Sequence, residues 1–133
     1  MDGTLADSVG CIVETVHIVE DALVIPRVSD AEIRGMIGRP LTAIFTEIHA
    51  LDGDLLQRAI EIYKRDYVRM TGMHECLFEG GIEVLTALRQ HGFQLAIATG
   101  KDQVGAENAC ARLGLTPYFD SIHGILPGTP GKP

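Results

Sequence analysis

The stretch GIEVLTALRQHGFQLAIATGKD, residues 81–102, decides the fold class of this chain. Apolar side chains recur at helical spacing over residues 82–91, which predicts a helix. The run FQLAIA at residues 93–98 is short and mostly apolar, as is typical of a strand buried on both faces. A second helix and a second strand are predicted over residues 102–113 and 118–125. Helices that alternate with strands over short connections indicate an α/β layer with parallel strands.

The preceding part of the chain shows helical spacing and no strand signal. Helices are predicted there over residues 9–23, 30–37, 41–50 and 55–70. Asp54, with Gln57 three residues later, has the arrangement of a capping box and is expected to begin the last of these helices. We therefore expect two domains, a partial α/β core and an all-helical one, formed by residues 1–7 with 80–133 and by residues 8–79.

The composition is that of an acidic chain with enough apolar residues for a hydrophobic core. Hydrophobic residues make up 46% of the 133, and 18 acidic against 11 basic side chains give a formal net charge of −7. Such a charge repels nucleic-acid backbones, so nucleic acid is not an expected partner. Because the sequence shows neither a signal-peptide pattern nor an apolar run of about 20 residues, we expect a cytoplasmic protein without membrane contact.

The most specific motif is Asp-Gly-Thr-Leu-Ala-Asp-Ser at residues 2–8. It resembles the signature of the haloacid dehalogenase superfamily, and most closely its phosphoglycolate-phosphatase-like branch. The family pattern is Asp-x-Asp-Gly-Thr-Leu-x-Asp-Ser at the end of a buried strand, where residues two apart project to the same side. By this resemblance Asp2 is the second carboxylate of the pattern and Met1 is its x position. The first carboxylate would lie one residue before Met1. Taken alone, the motif is also compatible with a turn followed by a helix cap.

The resemblance implies a phosphate monoester hydrolase that works through an aspartyl phosphate with Mg²⁺. Asp2 would be the catalytic general acid/base, and its backbone carbonyl would bind the metal. Gly3 and Thr4 would belong to the substrate-binding turn. The nucleophile, and an acidic pair that completes the metal site, would lie outside the 133 residues. We therefore expect a chain truncated at both ends and inactive by itself.

A second match is the run Ala-Thr-Gly-Lys at residues 98–101. In the family the hydroxyl at this strand end and the following backbone N–H hold a phosphate oxygen, which assigns a catalytic role to Thr99 and substrate binding to Gly100 and Lys101. A hydroxyl between a parallel strand and a helix N-terminus also suits anion binding on physical grounds. The alternatives are that Thr99 only caps the following helix and that Lys101 is a solvated residue at the helix start.

Two further residues complete the site that the resemblance implies. Lys132, in the Lys-Pro that ends the sequence, matches the lysine that binds the phosphoryl oxygens, or else is a solvated tail residue. The helical block matches the family's cap, in which Arg39 would bind a substrate carboxylate through its planar guanidinium, or else is a surface arginine.

The fold class expected is thus α/β, a partial Rossmann-like parallel sheet with an inserted helical cap. The partner expected is a small phosphorylated substrate, and a homodimer is allowed. The competing hypothesis is a non-catalytic fragment or pseudoenzyme that binds a partner through exposed apolar surface.

Overall fold

The structure is a computed structural model, and it describes residues 1–74 and 76–128. The chain divides into two compact units, each with its own core. The α/β unit consists of Met1–Asp7 and Cys76–Pro133, and the helical unit consists of Ser8–Glu75. The chain returns to the α/β unit at Cys76, ahead of the boundary expected at residue 80, because Cys76–Leu77 pair with Ala6–Asp7.

The helical unit contains four α-helices and one π-helical segment among its described residues. These are α1 (Val9–Leu23), α2 (Asp30–Gly35), α3 (Leu41–Ala43), the π-helix (Ile44–Ile48) and α4 (Gly53–His74). Since α4 begins at Gly53, Asp54 lies inside its first turn and is not the cap that the sequence suggested. A capping box does occur at α2, where the Ser29 hydroxyl accepts from the Glu32 N–H and the Glu32 carboxylate accepts from the Ser29 N–H.

The core of the helical unit forms where α1 packs against α4. The apolar face of α1, formed by Ile12, Val13, Val16 and Val19, is buried, and Phe45 from the π-helix is fully buried beside it. Phe45 meets Tyr63 edge-on, with ring centroids 6.1 Å apart, and Tyr63 stacks on Tyr67. The core residues are Ile12, Val13, Val16, Val19, Ile33, Ile44, Phe45, Leu51, Ala59 and Tyr63.

A buried carboxylate lies next to this core. Glu20 on α1 is fully buried, and it accepts hydrogen bonds from the Val28 N–H at 3.0 Å and from His49 Nε2 at 2.8 Å. His17, one turn earlier on α1, contacts both Glu20 and Asp30. Burial alone would raise the pKa of Glu20, but the hydrogen bonds from His17, His49 and Val28 outweigh it and lower that pKa.

The α/β unit contains two small sheets in its described part. The short strands β1 (Ala6–Asp7) and β2 (Cys76–Leu77) are antiparallel, and β3 (Ala96–Asp102) and β4 (Ser121–Ile125) are parallel. The helices are α5 (Gly81–Gln90), α6 (Gln103–Arg112) and a 3₁₀ turn at Thr116–Tyr118. Because α6 connects β3 to β4 and packs on both, the predicted helix–strand alternation and its parallel strands are confirmed.

The burial predicted for the first core strand is wrong in one respect. Ile97 and Thr99 are buried, but Ala96 and Ala98, which alternate with them, are exposed, so only one face of β3 is covered. Ile97 on that face packs into an apolar cluster with Leu85, Cys110 and Leu115, and the exposed Ala96 and Ala98 lie on the other face. The strand also starts later than expected, because Phe93 belongs to the turn that closes α5.

None of the helices among the described residues is both long and apolar enough to span a bilayer. None of the three cysteines is in a disulfide, and burial raises the pKa of the Cys110 thiol.

Candidate active site

The candidate site lies at the end of β3, where its pairing with β4 is interrupted. Regular pairing ends at Ala98 opposite His123 and resumes at Asp102 opposite Ile125. Residues 99–101 therefore bulge from the ladder, and bulges of this kind redirect side chains next to functional sites. The three residues are those that the sequence assigned to phosphate binding, and Thr99 is buried while Gly100 and Lys101 are partly exposed.

The helix that follows is capped by Asp102. Its carboxylate accepts from the Gly105 N–H at 2.7 Å, and a Cβ at Gly105 would come within 2.9 Å of Asp102 Oδ1. The hydroxyl of Thr99 instead accepts from the Lys101 N–H at 3.3 Å. Capping α6 is therefore the role of Asp102, and Thr99 holds the bulge.

The N-terminal motif forms a tight turn. The Met1 carbonyl accepts from the N–H groups of Thr4, Leu5 and Ala6 at 3.2, 2.9 and 3.2 Å, and the Gly3 N–H donates to the Ala6 carbonyl at 3.0 Å. Gly3 has φ +66°, which few residues other than glycine adopt easily. Gly3 and Thr4 are exposed, and their N–H groups serve the turn itself.

The two motifs meet through an ion pair. Asp2 Oδ1 lies 3.1 Å from Lys101 Nζ, and these side chains are only 11% and 16% exposed. Because the Lys101 N–H also bonds to Thr99, one residue contacts both of the side chains that the sequence placed at a phosphoryl pocket. A carboxylate, an ammonium and a hydroxyl so arranged can bind an oxyanion and exchange a proton with it.

Another predicted site residue, Arg39, has a partner of its own. Arg39 lies in the helical unit, where its guanidinium binds both carboxylate oxygens of Glu47, with Nη1 2.7 Å from Oε2. Lys132 lies outside the described residues.

The described residues do not form a complete metal site. Within residues 1–74 and 76–128, no group of three or more His, Cys, Asp or Glu side chains is arranged to hold a metal ion. The side chain of Asp2 faces an ammonium group. These residues therefore do not by themselves fit the magnesium site that the family implies.

One anchoring residue of this unit went unrecognised in the sequence. The Asp120 carboxylate accepts from the Leu95 N–H and from Arg89 Nη1, both at 2.7 Å, and so joins the starts of β3 and β4 to the end of α5. The bond from Leu95 and the charge of Arg89 hold the pKa of Asp120 below its usual value. The Phe-Asp pair before β4 was the available signal, but no sequence pattern revealed its partners.

Comparison with known proteins agrees with this geometry. The model of the haloacid dehalogenase-like hydrolase family matches residues 1–133. The chain belongs to this family. A 5'-nucleotidase of Pseudomonas aeruginosa is 32% identical over 131 residues, which cover 97% of this chain and 59% of that protein. A phosphoglycolate phosphatase of Vibrio vulnificus is 30% identical over 134 residues, covering 93% and 58% of the two chains.

Solved structures of the family share the fold. A haloacid dehalogenase-like hydrolase of Streptococcus pneumoniae superposes with a TM-score of 0.83 at 31% identity, and the match covers 98% of this chain and 60% of that one. The chain thus spans somewhat less than two thirds of the length of these relatives. The α/β fold class and the family expected from the sequence are confirmed.

Proposed function

We propose that the protein to which this chain belongs hydrolyses phosphate monoesters through an aspartyl phosphate. The observation that carries the proposal is the ion pair between Asp2 and Lys101 beside the Thr99 hydroxyl, at the carboxyl end of a parallel strand. Ligands of open α/β sheets bind at this edge. Family membership supports the same chemistry.

Each residue of the group has a distinct role in this proposal. A carboxylate before Met1 attacks phosphorus, and Asp2 gives a proton to the leaving oxygen. Asp2 then takes a proton from the water that hydrolyses the aspartyl phosphate, which returns the free carboxylate and inorganic phosphate. Lys101 and the Thr99 hydroxyl bind the phosphoryl oxygens, and the turn at Gly3 and Thr4 shapes the pocket.

Magnesium would act in the whole protein by offsetting the negative charge of the phosphoryl group. The contribution of this chain would be the backbone carbonyl of Asp2, with the remaining ligands from outside the described residues. Lys132 would add a further positive charge at the same pocket. The steps proposed above use only proton transfer and charge from the side chains of the chain.

The substrate proposed is a small phosphate monoester, with phosphoglycolate as the example. The helical unit would act as a cap that limits the access of water to the site. Arg39 would bind a substrate carboxylate, which must displace the carboxylate of Glu47 from the guanidinium. The proposed location of the protein is the cytoplasm.

Titration with inorganic phosphate tests the binding half of this proposal. In ¹⁵N-labelled chain, we expect phosphate to shift the amide signals of residues 99–101. K101M and T99V should weaken binding by roughly 10-fold each, as expected for a charge-assisted hydrogen bond lost from a buried site. K64M, which removes an exposed lysine of α4, is the control and should leave the affinity unchanged. The proposal would be contradicted if phosphate did not shift the amide signals of residues 99–101 in the wild-type chain.

A turnover assay tests the catalytic half. The 133-residue polypeptide, with Mg²⁺ and p-nitrophenyl phosphate, should release no p-nitrophenol above the D2N variant, since the proposed nucleophile is not among its residues. Turnover by the wild-type polypeptide that D2N abolishes would show that the nucleophile lies elsewhere in the chain.

A further inference from the structure

The side-chain amide of Gln103 is bonded to the main chain of β4 on both sides of His123. Gln103 Oε1 accepts from the Gly124 N–H at 2.7 Å, and Nε2 donates to the Ile122 carbonyl at 3.0 Å. Nε2 also donates to Glu107 Oε1 at 2.6 Å. The amide has one orientation only, because a flipped one would face the Gly124 donor with its own NH₂ group.

This pattern copies the hydrogen bonding of a neighbouring strand. In a parallel ladder, the N–H and C=O of one residue bond to the two residues that flank its partner. The Gln103 amide makes the same two bonds around His123, where the regular pairing of β3 with β4 ends. A side chain thus bonds to β4 next to the point where residues 99–101 leave the ladder.

Gly124 makes this arrangement sterically feasible. A Cβ at Gly124 would lie 2.6 Å from the Gln103 Cα, 2.7 Å from its backbone N and 2.8 Å from the Asp102 carbonyl carbon. Because these neighbours are all backbone atoms, they cannot rotate away. The close approach of β4 to the start of α6 therefore requires glycine at this position.

We propose that Gln103 is the positioning residue of the candidate site, which keeps Thr99 and Lys101 out of the ladder and so holds the Lys101 ammonium against Asp2. The positioning of residues 99–101 by Gln103 does not depend on the proposed function. Only the consequence for phosphate binding and catalysis rests on it. Gln103 itself bonds to the strand and to Glu107, and it acts on the phosphoryl pocket through the bulge.

The test compares Q103M with Q90M in ¹⁵N-labelled 133-residue chain. Q103M keeps the side-chain length without the amide, and Q90M makes the same change on the exposed end of α5. We expect Q103M to speed amide exchange at Gly124 by roughly 2- to 10-fold, the usual effect of one lost hydrogen bond. It should also shift the Thr99–Lys101 amides and weaken inorganic phosphate binding by a similar factor, whereas Q90M should change none of these.

The variant Q103E adds a pH readout that a purely structural role would not give. At neutral pH its carboxylate faces the Ile122 carbonyl and the Glu107 carboxylate, so the donor is lost and repulsion is added. Acidification restores a donor, and the signals of residues 99–101 should move back toward their wild-type positions. Q103E/E107Q should show this recovery at a lower pH, because removing the neighbouring negative charge of Glu107 lowers the pKa of the introduced carboxyl group.

The outcomes separate this inference from the proposed function. Signals of residues 99–101 that are identical in Q103M and wild type would overturn the positioning role, whether or not phosphate binds. A second outcome is that phosphate leaves the wild-type signals unchanged, while the signals of residues 99–101 move in Q103M and recover with acid in Q103E. This outcome would overturn the proposed function and support the positioning role.

Discussion

The two units each contain a shielded acidic side chain with cationic or imidazole partners, and they differ in how those partners lie along the sequence. In the α/β unit, Asp2 pairs with Lys101, and both lie in recognisable motifs. In the helical unit, Glu20 binds His49 and the Val28 N–H, and neither the glutamate nor its partners stand in a pattern.

The two acidic side chains also differ in how far solvent can reach them. The Asp2–Lys101 pair of the α/β unit remains partly accessible, with side chains 11% and 16% exposed. Glu20 is fully buried and fastens α1, the loop before α2 and the end of the π-helix to one another. We infer that the first pair serves a ligand and that the second serves the stability of the helical unit.

The largest effect is expected from removing the buried carboxylate. E20A leaves the nearly buried His49 and the Val28 N–H without their acceptor, so we expect a loss of about 3–5 kcal/mol in the free energy of unfolding. E14A, at an exposed position of the same helix, is the control and should stay within about 0.5 kcal/mol of wild type. Urea denaturation followed by circular dichroism measures both. Equal losses in the two variants would refute a stabilising role for the cluster.

A smaller loss is expected from the close contact in the α/β unit. G124A places a methyl group against backbone atoms of Gln103, and overpacking of this kind costs about 1–3 kcal/mol. G10A should have the opposite effect on stability. Gly10 lies in α1, and no packed neighbour lies within 4 Å of the position that an added methyl group would take. Helix propensity favours alanine over glycine by about 1 kcal/mol. Thermal unfolding should therefore show a lower Tm for G124A and a higher one for G10A. A neutral G124A would mean that β4 can shift away from α6.

The pH dependence of stability should report on the Glu20 cluster of the helical unit. The folded pKa of Glu20 is lowered, so its contribution is complete above its ordinary value of 4.5 and is lost as the pH falls through the folded pKa. Hydrogen bonds to Asp30 and Glu20 raise the pKa of His17, so its contribution is complete below 6.5 and is lost as the pH rises through the folded value.

Both contributions are complete between pH 4.5 and pH 6.5, and we expect the Tm of the wild-type chain to be highest in that window. H17N should flatten the alkaline side of the profile. It should also make the acidic loss smaller, because one of the hydrogen bonds that lower the pKa of Glu20 comes from His17. A profile that is unchanged by H17N would assign the alkaline loss to other groups.

The sequence predicts those parts of the fold that depend on local periodicity. The stripe of α1 and the parallel strands around α6 follow from spacing alone, and both are present. The limits of β3 were missed, because Phe93 is as apolar as a strand residue but is needed in the turn after α5. The capping box was placed at Asp54 when the true one is at Ser29, since both have a suitable residue three positions later.

The parts of the site that escaped prediction depend on contacts between distant residues. The motifs locate Asp2, Thr99 and Lys101, but the interruption of the ladder at His123 has no sequence signature. Gln103 looks like an ordinary helix residue until its amide is seen against β4. The cluster around Glu20 also escapes prediction, because His49 lies 29 residues further along the chain and no motif contains either residue.

The smallest change in the free energy of unfolding is expected at Arg39 and Glu47. Like Glu20 and its partners they form a close polar contact, but theirs is exposed to solvent. Their two-bond pair is about half exposed, so water and salt screen it, and such pairs contribute about 0–1 kcal/mol. E47Q should therefore change the unfolding free energy by less than about 1 kcal/mol, and less still at high salt. The weakness of the pair is what a ligand-binding arginine requires, since an incoming carboxylate can replace Glu47 at little cost. A loss with E47Q as large as that with E20A would instead make Arg39 a structural residue of the helical unit.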